Sequence, residues 1–486
     1  MRDKALEKAL LLTRNGTTQQ LTDFITAQSW EWRRKVATLD HKSLLNVLAY
    51  DRVVRVRREV ARHKYKDLLN ILVFDKASKV RGIVATHNYK DLLSRLVHDT
   101  DFLVRATVAK HGYKEHLDIL VHDTHPIPRG AVAEHNLDCY INKLLHDPDA
   151  YVRAVVAQQN DKELLDKMLS DKSPIVRETI AKHGHLDHLN RLVYDENADV
   201  KVAVAEHGHL EHLNKLVYDT SPHVKATVAS KGHLEHLNML VKESHPAIKV
   251  AVASHGYLEH LDVLINNSTA PDEYLVRAEI AKHGHIPYAK RLINDPEPAV
   301  RAGVAHTNCK ELLDRLAKDA ESIVREQVAK HDYPDLLAKL SRDKSVDVRF
   351  NVAAHNHKDL LVKLSEDTDP DVRAMVATHN HKDLLEQLID DEDVYVRAQV
   401  ANHKYEDLLA RLVKDPEPMV RKNVAKHGYL NFLEILKKDK NEEVRAEAEK
   451  DILDKMNNTH SESHIQNLNY NFVRYLLTGE GKDDDY

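Results

Sequence analysis

Val-Arg pairs recur along this chain at one fixed interval, and that interval limits the fold more than any other feature. The basic residue of the pair falls at Arg33, Arg57, Arg81 and onward to Lys249, then from Arg277 to Arg445. Every step is 24 residues except the 28 between Lys249 and Arg277. This makes eighteen anchors, fifteen of them arginine, with Lys201, Lys225 and Lys249 the exceptions. Self-similarity at such a period marks small supersecondary units that bury their apolar faces only by stacking on one another.

Positions are counted here from the anchor. Position +4 is alanine in 17 of the 18 units, and +12 and +15 are almost always leucine. Apolar residues at −1, +3 and +4 form one helical stripe, and those at +11, +12, +15 and +16 form another. Each unit therefore predicts two short helices of roughly 8–10 residues, with close helix contact at the small +4. Position +7 is glycine in seven units (Gly184 and Gly208 among them) and asparagine in six, residues that tolerate the left-handed conformation ending a helix. Histidine precedes it at +6 thirteen times, where it suits the free carbonyls and dipole of a helix C-terminus. Position +18 is aspartate fifteen times and opens the loop into the next unit.

The sequence Asp415-Pro416-Glu417-Pro418-Met419-Val420-Arg421, followed by Val424-Ala425 and then paired leucines, resembles HEAT-like repeats. The 24-residue period most resembles the leucine-rich repeat variant (LRV) family, over about residues 9–450. The resemblance implies an all-α fold, a right-handed superhelical α-solenoid of about 18–19 two-helix repeats. It implies a hydrogen-bonded ladder between aspartate and arginine six residues apart: Asp51 and Arg57, Asp75 and Arg81, Asp99 and Arg105, Asp415 and Arg421. It leaves the second helix of each repeat open between α and 3₁₀. Some LRV members bind an iron–sulfur cluster near the N-terminus. That motif is missing here, where Cys139 and Cys309 are the only two cysteines, so no cofactor or metal is implied.

Domain layout follows the repeat. Residues 1–32 read as N-terminal capping helices with a degenerate repeat, 33–265 as repeats with a His-rich centre, and 266–276 as an insertion loop. Residues 277–456 read as further repeats, and 457–486 as a polar linker, an amphipathic helix and an acidic tail.

Composition narrows the function. Among 486 residues, 71 Lys and Arg stand against 77 Asp and Glu, a net charge of −6, which argues against a dedicated nucleic-acid binder. Two cysteines exclude a disulfide scaffold and fit a reducing, cytoplasmic location. No apolar run reaches the roughly 20 residues of a membrane span. No Gly-rich phosphate loop or Gly-x-Ser-x-Gly elbow occurs, so no enzyme is expected.

The expected function is a non-enzymatic scaffold that presents an extended surface to a protein or peptide. The second helix should offer that surface at +10, +13, +14 and +17. Its most distinctive patch is Asn190, Asn214 and Asn238 with Tyr194 and Tyr218, beside His188, His212 and His236. Two alternatives stand. The stacked histidines could bind a transition metal, against the plainer reading of capping and packing residues copied by duplication. The basic +14 row could track a nucleic-acid backbone. Acids one turn earlier (Asp91 before Arg95, Glu163 before Lys167, Glu211 before Lys215, Asp407 before Arg411) should neutralise that row within each helix.

Overall fold

The structure, a computed structural model, describes residues 4–458, with side chains to 450. Beyond Asn458, the expected linker, amphipathic helix and acidic tail lie outside the described residues. Among the described residues the elements are α-helices and one 3₁₀ turn, with no strand. The protein is an all-α solenoid of 24-residue helix hairpins, here called layers. The chain divides into two compact units, Met1–Leu240 and Val241–Tyr486. That division falls before the 266–276 insertion at which the sequence period breaks.

In the first unit two helices, Lys4–Asn15 and Thr18–Thr26, precede the regular layers. Thr17 caps the second of them, exchanging side-chain and backbone hydrogen bonds with Gln20 in a capping box. A typical layer is the helix Val54–Ala61 followed by Lys66–Leu72. The second helix is α rather than 3₁₀, and at seven residues it is shorter than expected. A helix so short has no stability of its own; its neighbours hold it. Leu69 at +12 is fully buried and Leu72 at +15 almost so. Ala37, Ala61 and Ala85, at +4, are also fully buried, which lets successive first helices approach closely.

Turn chemistry splits into two kinds. The +7 glycines have φ near +70° to +78°, and Asn136 and Asn160 join them at 50° and 58°. Asn88 and Asn356 do not. There the N–H of the following residue bonds the carbonyl of the preceding histidine (Tyr89 to His87 at 2.8 Å, His357 to His355 at 3.0 Å), a three-residue turn. Gly184 shows a second reason for glycine. At φ +78° any Cβ is strained, and one there would lie 2.8 Å from the ring of His207 in the next layer.

In the second unit the same hairpins run from Pro246–Ala253 to the 17-residue helix Glu442–Asn458. Prolines at the first helical position, such as Pro298, Pro370 and Pro418, start several first helices without losing a needed hydrogen bond. The four extra residues lengthen one second helix to Leu258–Asn267 and add the 3₁₀ turn Pro271–Glu273. Asn267 then occupies the +18 position of that layer. Lys249 donates to its carbonyl at 2.9 Å and forms its ion pair with Glu273 instead.

Candidate docking face

Three kinds of rung join the layers, and what they leave over defines the available surface. The first is the Arg–Asp ladder. Arg57 sends Nε and Nη2 to the carboxylate of Asp75 (2.5 and 2.8 Å), eighteen residues on, and Nη1 to the carbonyl of Asp51 (2.6 Å), six residues back. Arg81 repeats this with Asp99 and Asp75, Arg105 with Asp123 and Asp99, and Arg421 with Asp439 and Asp415. Residues six apart therefore meet through the main chain, while the ion pairs join residues eighteen apart. Asp51 gives its carboxylate to Arg33, and Asp415 to Arg397. Each aspartate also accepts the N–H two residues on, as Asp75 does from Ala77 at 2.8 Å, which shapes the loop. Burial alone would raise the Asp75 carboxyl, but the hydrogen bonds from Arg57 and the Ala77 N–H outweigh it and hold it below the usual range.

Histidines make the second rung. His63 Nε2 bonds the carbonyl of Ala37 at 2.8 Å, and His87, His111 and His135 bond Ala61, Ala85 and Ala109 in turn. The +6 histidine thus caps the first helix of the preceding layer, not its own as the sequence suggested. Gln159 replaces it on Ala133 (3.1 Å), and Lys231 does so on the Glu206 carbonyl (2.7 Å).

A second set of histidines sits at +11. His188, His212 and His236 are 1, 0 and 2 % exposed, so their assignment to a partner-binding patch is corrected: the layers enclose them. Their Nε2 atoms reach back to Asp166, Asn190 and Asn214 of the preceding layer at 2.7–2.8 Å. Their Nδ1 atoms are buried without a partner. Desolvation holds His212 and His236 below the ordinary imidazole pKa. Among the described residues no group of three or more His, Cys, Asp or Glu could hold a metal ion.

Lysines at +9 supply the third rung. Lys42, Lys66, Lys90 and Lys162 pair with Asp67, Asp91, Glu115 and Asp187 at +10 of the next layer. These exposed pairs replace the expected pairing within a helix. Arg95 does not meet Asp91 but lies over the ring of Phe74 (5.4 Å), and Lys215 lies over Tyr194 (4.9 Å). Arg411 pairs with Asp390 of the preceding layer. The +14 row is therefore not neutralised by the acids of its own helices.

What remains exposed differs between the units. In the first unit the +17 row reads Tyr50, Phe74, His98, His122, His146, Ser170, Tyr194 and Tyr218, all exposed. Phe74 is 68 % exposed and Tyr218 72 %. In the second unit the same row reads Lys242, Asn266, Asn294, Lys318, Arg342, Glu366, Asp390, Lys414 and Lys438. Sequence reasoning singled out Tyr194 and Tyr218 and missed the other rings, which reading the +17 register layer by layer reveals. Asn190, Asn214 and Asn238 are exposed beside them. At +9, Leu186, Leu210 and Leu234 stand about half exposed, where the preceding layer carries Lys162 and the following one Leu258. Grooves open between adjacent layers at the +17 edge: one runs between Tyr50 and Phe74 over Ile71, another between Ser170 and Tyr194 beside Arg191.

No family model matches the sequence, and no curated protein is significantly similar to it. Solved structures are. A leucine-rich repeat variant protein is 27 % identical over 40 % of this chain and 88 % of its own, with a TM-score of 0.33. Yeast importin-beta (Kap95p) aligns over 92 % of this chain and 81 % of its own at 12 % identity, with a TM-score of 0.41. The S. pombe condensin Cnd3-Cnd2 subcomplex aligns over 90 % and 73 % at 11 % identity, with a TM-score of 0.23.

Proposed function

We propose that this chain is a non-enzymatic binding scaffold whose second helices present an extended docking face to a protein partner. One observation carries the reading. The Arg–Asp ladder and the histidines at +6 and +11 spend their bonds between layers, while the first unit keeps large exposed rings at a single register of the second helix. Exposed aromatic side chains are what protein interfaces enrich. A solenoid offers such side chains at regular spacing along its length. A cytoplasmic location belongs to the same reading, since Cys139 and Cys309 are both free thiols. No helix among the described residues is long and apolar enough to cross a membrane.

The test is affinity purification of the full chain from its native cell, with mass spectrometry of what co-purifies. The same capture is run with Tyr194→Ala and Tyr218→Ala. A partner retained by the native chain and lost with the double variant supports the reading; a partner held equally by both places its docking elsewhere. The unneutralised +14 cations favour one second reading, a nucleic-acid backbone. A salt titration decides it: no binding of DNA or RNA at about 50 mM salt removes that reading.

A further inference from the structure

The +14 and +17 registers of the first unit form a comb with a definite chemistry. Three of the rings at +17 are approached by the long +14 side chain of the next layer, twenty-one residues on. Arg95 covers Phe74, Lys143 Nζ lies 2.6 Å from His122 Nε2, and Lys215 covers Tyr194. Arg191 reaches Ser170 at 3.4 Å. Among the described residues no carboxylate lies within ion-pair distance of these four cations. Nearby acids are engaged elsewhere: Asp118 accepts the Tyr140 hydroxyl, and Asp166 bonds His188. At +18, Asp75 and Asp195 are held by Arg57 and Arg177. At +13, +14 and +17 of the first unit five cations stand against the two carboxylates of Asp118 and Asp166, so the edge is net positive, studded with flat apolar surfaces and grooved between layers.

We propose that this edge binds an extended acidic peptide, with one carboxylate on each +14 cation and apolar side chains seated in the grooves beside the +17 rings. The inference rests on the scaffold reading and names the chemistry of its partner. Charge complementarity selects an acidic segment over a basic one. The repeat selects an extended chain: adjacent packed helices lie about 8–10 Å apart, and three residues of extended peptide span about 10 Å. An acid at every third position therefore meets a cation at each of four successive layers, those that carry Lys143, Lys167, Arg191 and Lys215. A nucleic-acid strand fits less well. Along the same second helices runs the parallel +10 row, where Glu163, Glu211 and Glu235 have no lysine from the preceding layer, and continuous phosphate charge would lie beside it.

The test uses the full chain and three fluorescein-labelled probes read by anisotropy. The first is a peptide of about eighteen residues built from Glu-Leu-Ser triplets, long enough for some six layers. The second has the same composition with its glutamates gathered in one block. The third is a single-stranded oligouridylate. Expected are saturable binding of the triplet peptide, weaker binding of the block peptide, and loss of at least about tenfold in affinity in R191E/K215E, where like charges then oppose. Y194A/Y218A should weaken the same peptide, while K363E in the second unit leaves it unchanged. Circular dichroism verifies that the variants, all at exposed positions, keep their helix.

Equal affinity for triplet and block peptides, or indifference to R191E/K215E, would overturn the inference. So would tighter oligouridylate binding abolished by those substitutions, which would reassign the edge to nucleic acid. Failure of the triplet peptide to bind at all would also overturn it. The scaffold reading would survive that result, because the co-purification above tests it independently.

Discussion

Arg177 is nearly buried, and its guanidinium ties two loops to one helix. Removing one partner of such a pair leaves an uncompensated charge, so Arg177→Ala should cost about 3–5 kcal/mol in denaturant unfolding of the full chain. Arg177→Lys should cost less, because Lys201 holds the equivalent rung to Asp219 in the next layer. Lys66→Ala should cost under about 1 kcal/mol, since that ion pair is open to solvent. Gly184→Ala combines a positive φ with contact against His207 and should cost on the order of 2 kcal/mol. The residues of the ladder were legible in sequence, but their pairing was not. In an array of period 24, an aspartate six residues before one arginine is also eighteen after another. Spacing alone cannot choose between them, and the structure uses both, one through the main chain and one through the carboxylate. The same ambiguity hid the target of the +6 histidines, since a side chain at the end of a helix lies as near the previous layer as its own.

At the scale of the element, the second helix does two jobs. Its inner side fills the seam with leucines, and at position +11, where Leu68 stands in one layer, Tyr140 and His212 in others bond a polar side chain at +13 of the layer before. Tyr140 finds Asp118, and Tyr288 finds Asp262 at 2.8 Å, where burial and that carboxylate push its hydroxyl up to about 12. Desolvation holds the His212 imidazole below its ordinary value of 6.5 in the folded state. The sign follows. Its contribution is fully present above pH 6.5 and is lost as pH falls through the lowered folded value, since the unfolded imidazole then takes up a proton more readily. His212→Leu, which restores the residue most layers carry at +11, should flatten the pH dependence of the denaturation midpoint just below pH 6.5 while leaving stability at pH 8 within about 1 kcal/mol. Helix type and length went beyond the apolar pattern. Seven α-helical residues satisfy two leucines as well as nine do, and only the main-chain bonds distinguish α from 3₁₀.

Across the whole molecule, depressed ladder carboxylates recur in both units, from Asp75 and Asp123 to Asp367 and Asp391. Stability from such groups is present above the ordinary aspartate pKa of 3.8 and is lost as pH falls below it toward their folded values. Far-UV circular dichroism should therefore show a steep loss of helix below pH 4, and Asp123→Asn should move that loss to higher pH. All-α architecture and the repeat were readable from spacing. The contrast between the two units along the +17 row was present in the letters too, but its meaning needed the structure to show that this register faces solvent. The reach of the ladder has a last consequence for how such a chain can change length. Arg105 bonds Asp123, which occupies the same place in its layer as Asp147 does in the next. Excising residues 110–133 would join Ala109 to Glu134 and deliver Asp147 to Arg105 in the geometry Asp123 holds now. Whole layers can thus be spliced out or copied in with the Arg–Asp ladder unbroken, whereas a deletion of any other size would leave a ladder cation facing the wrong loop.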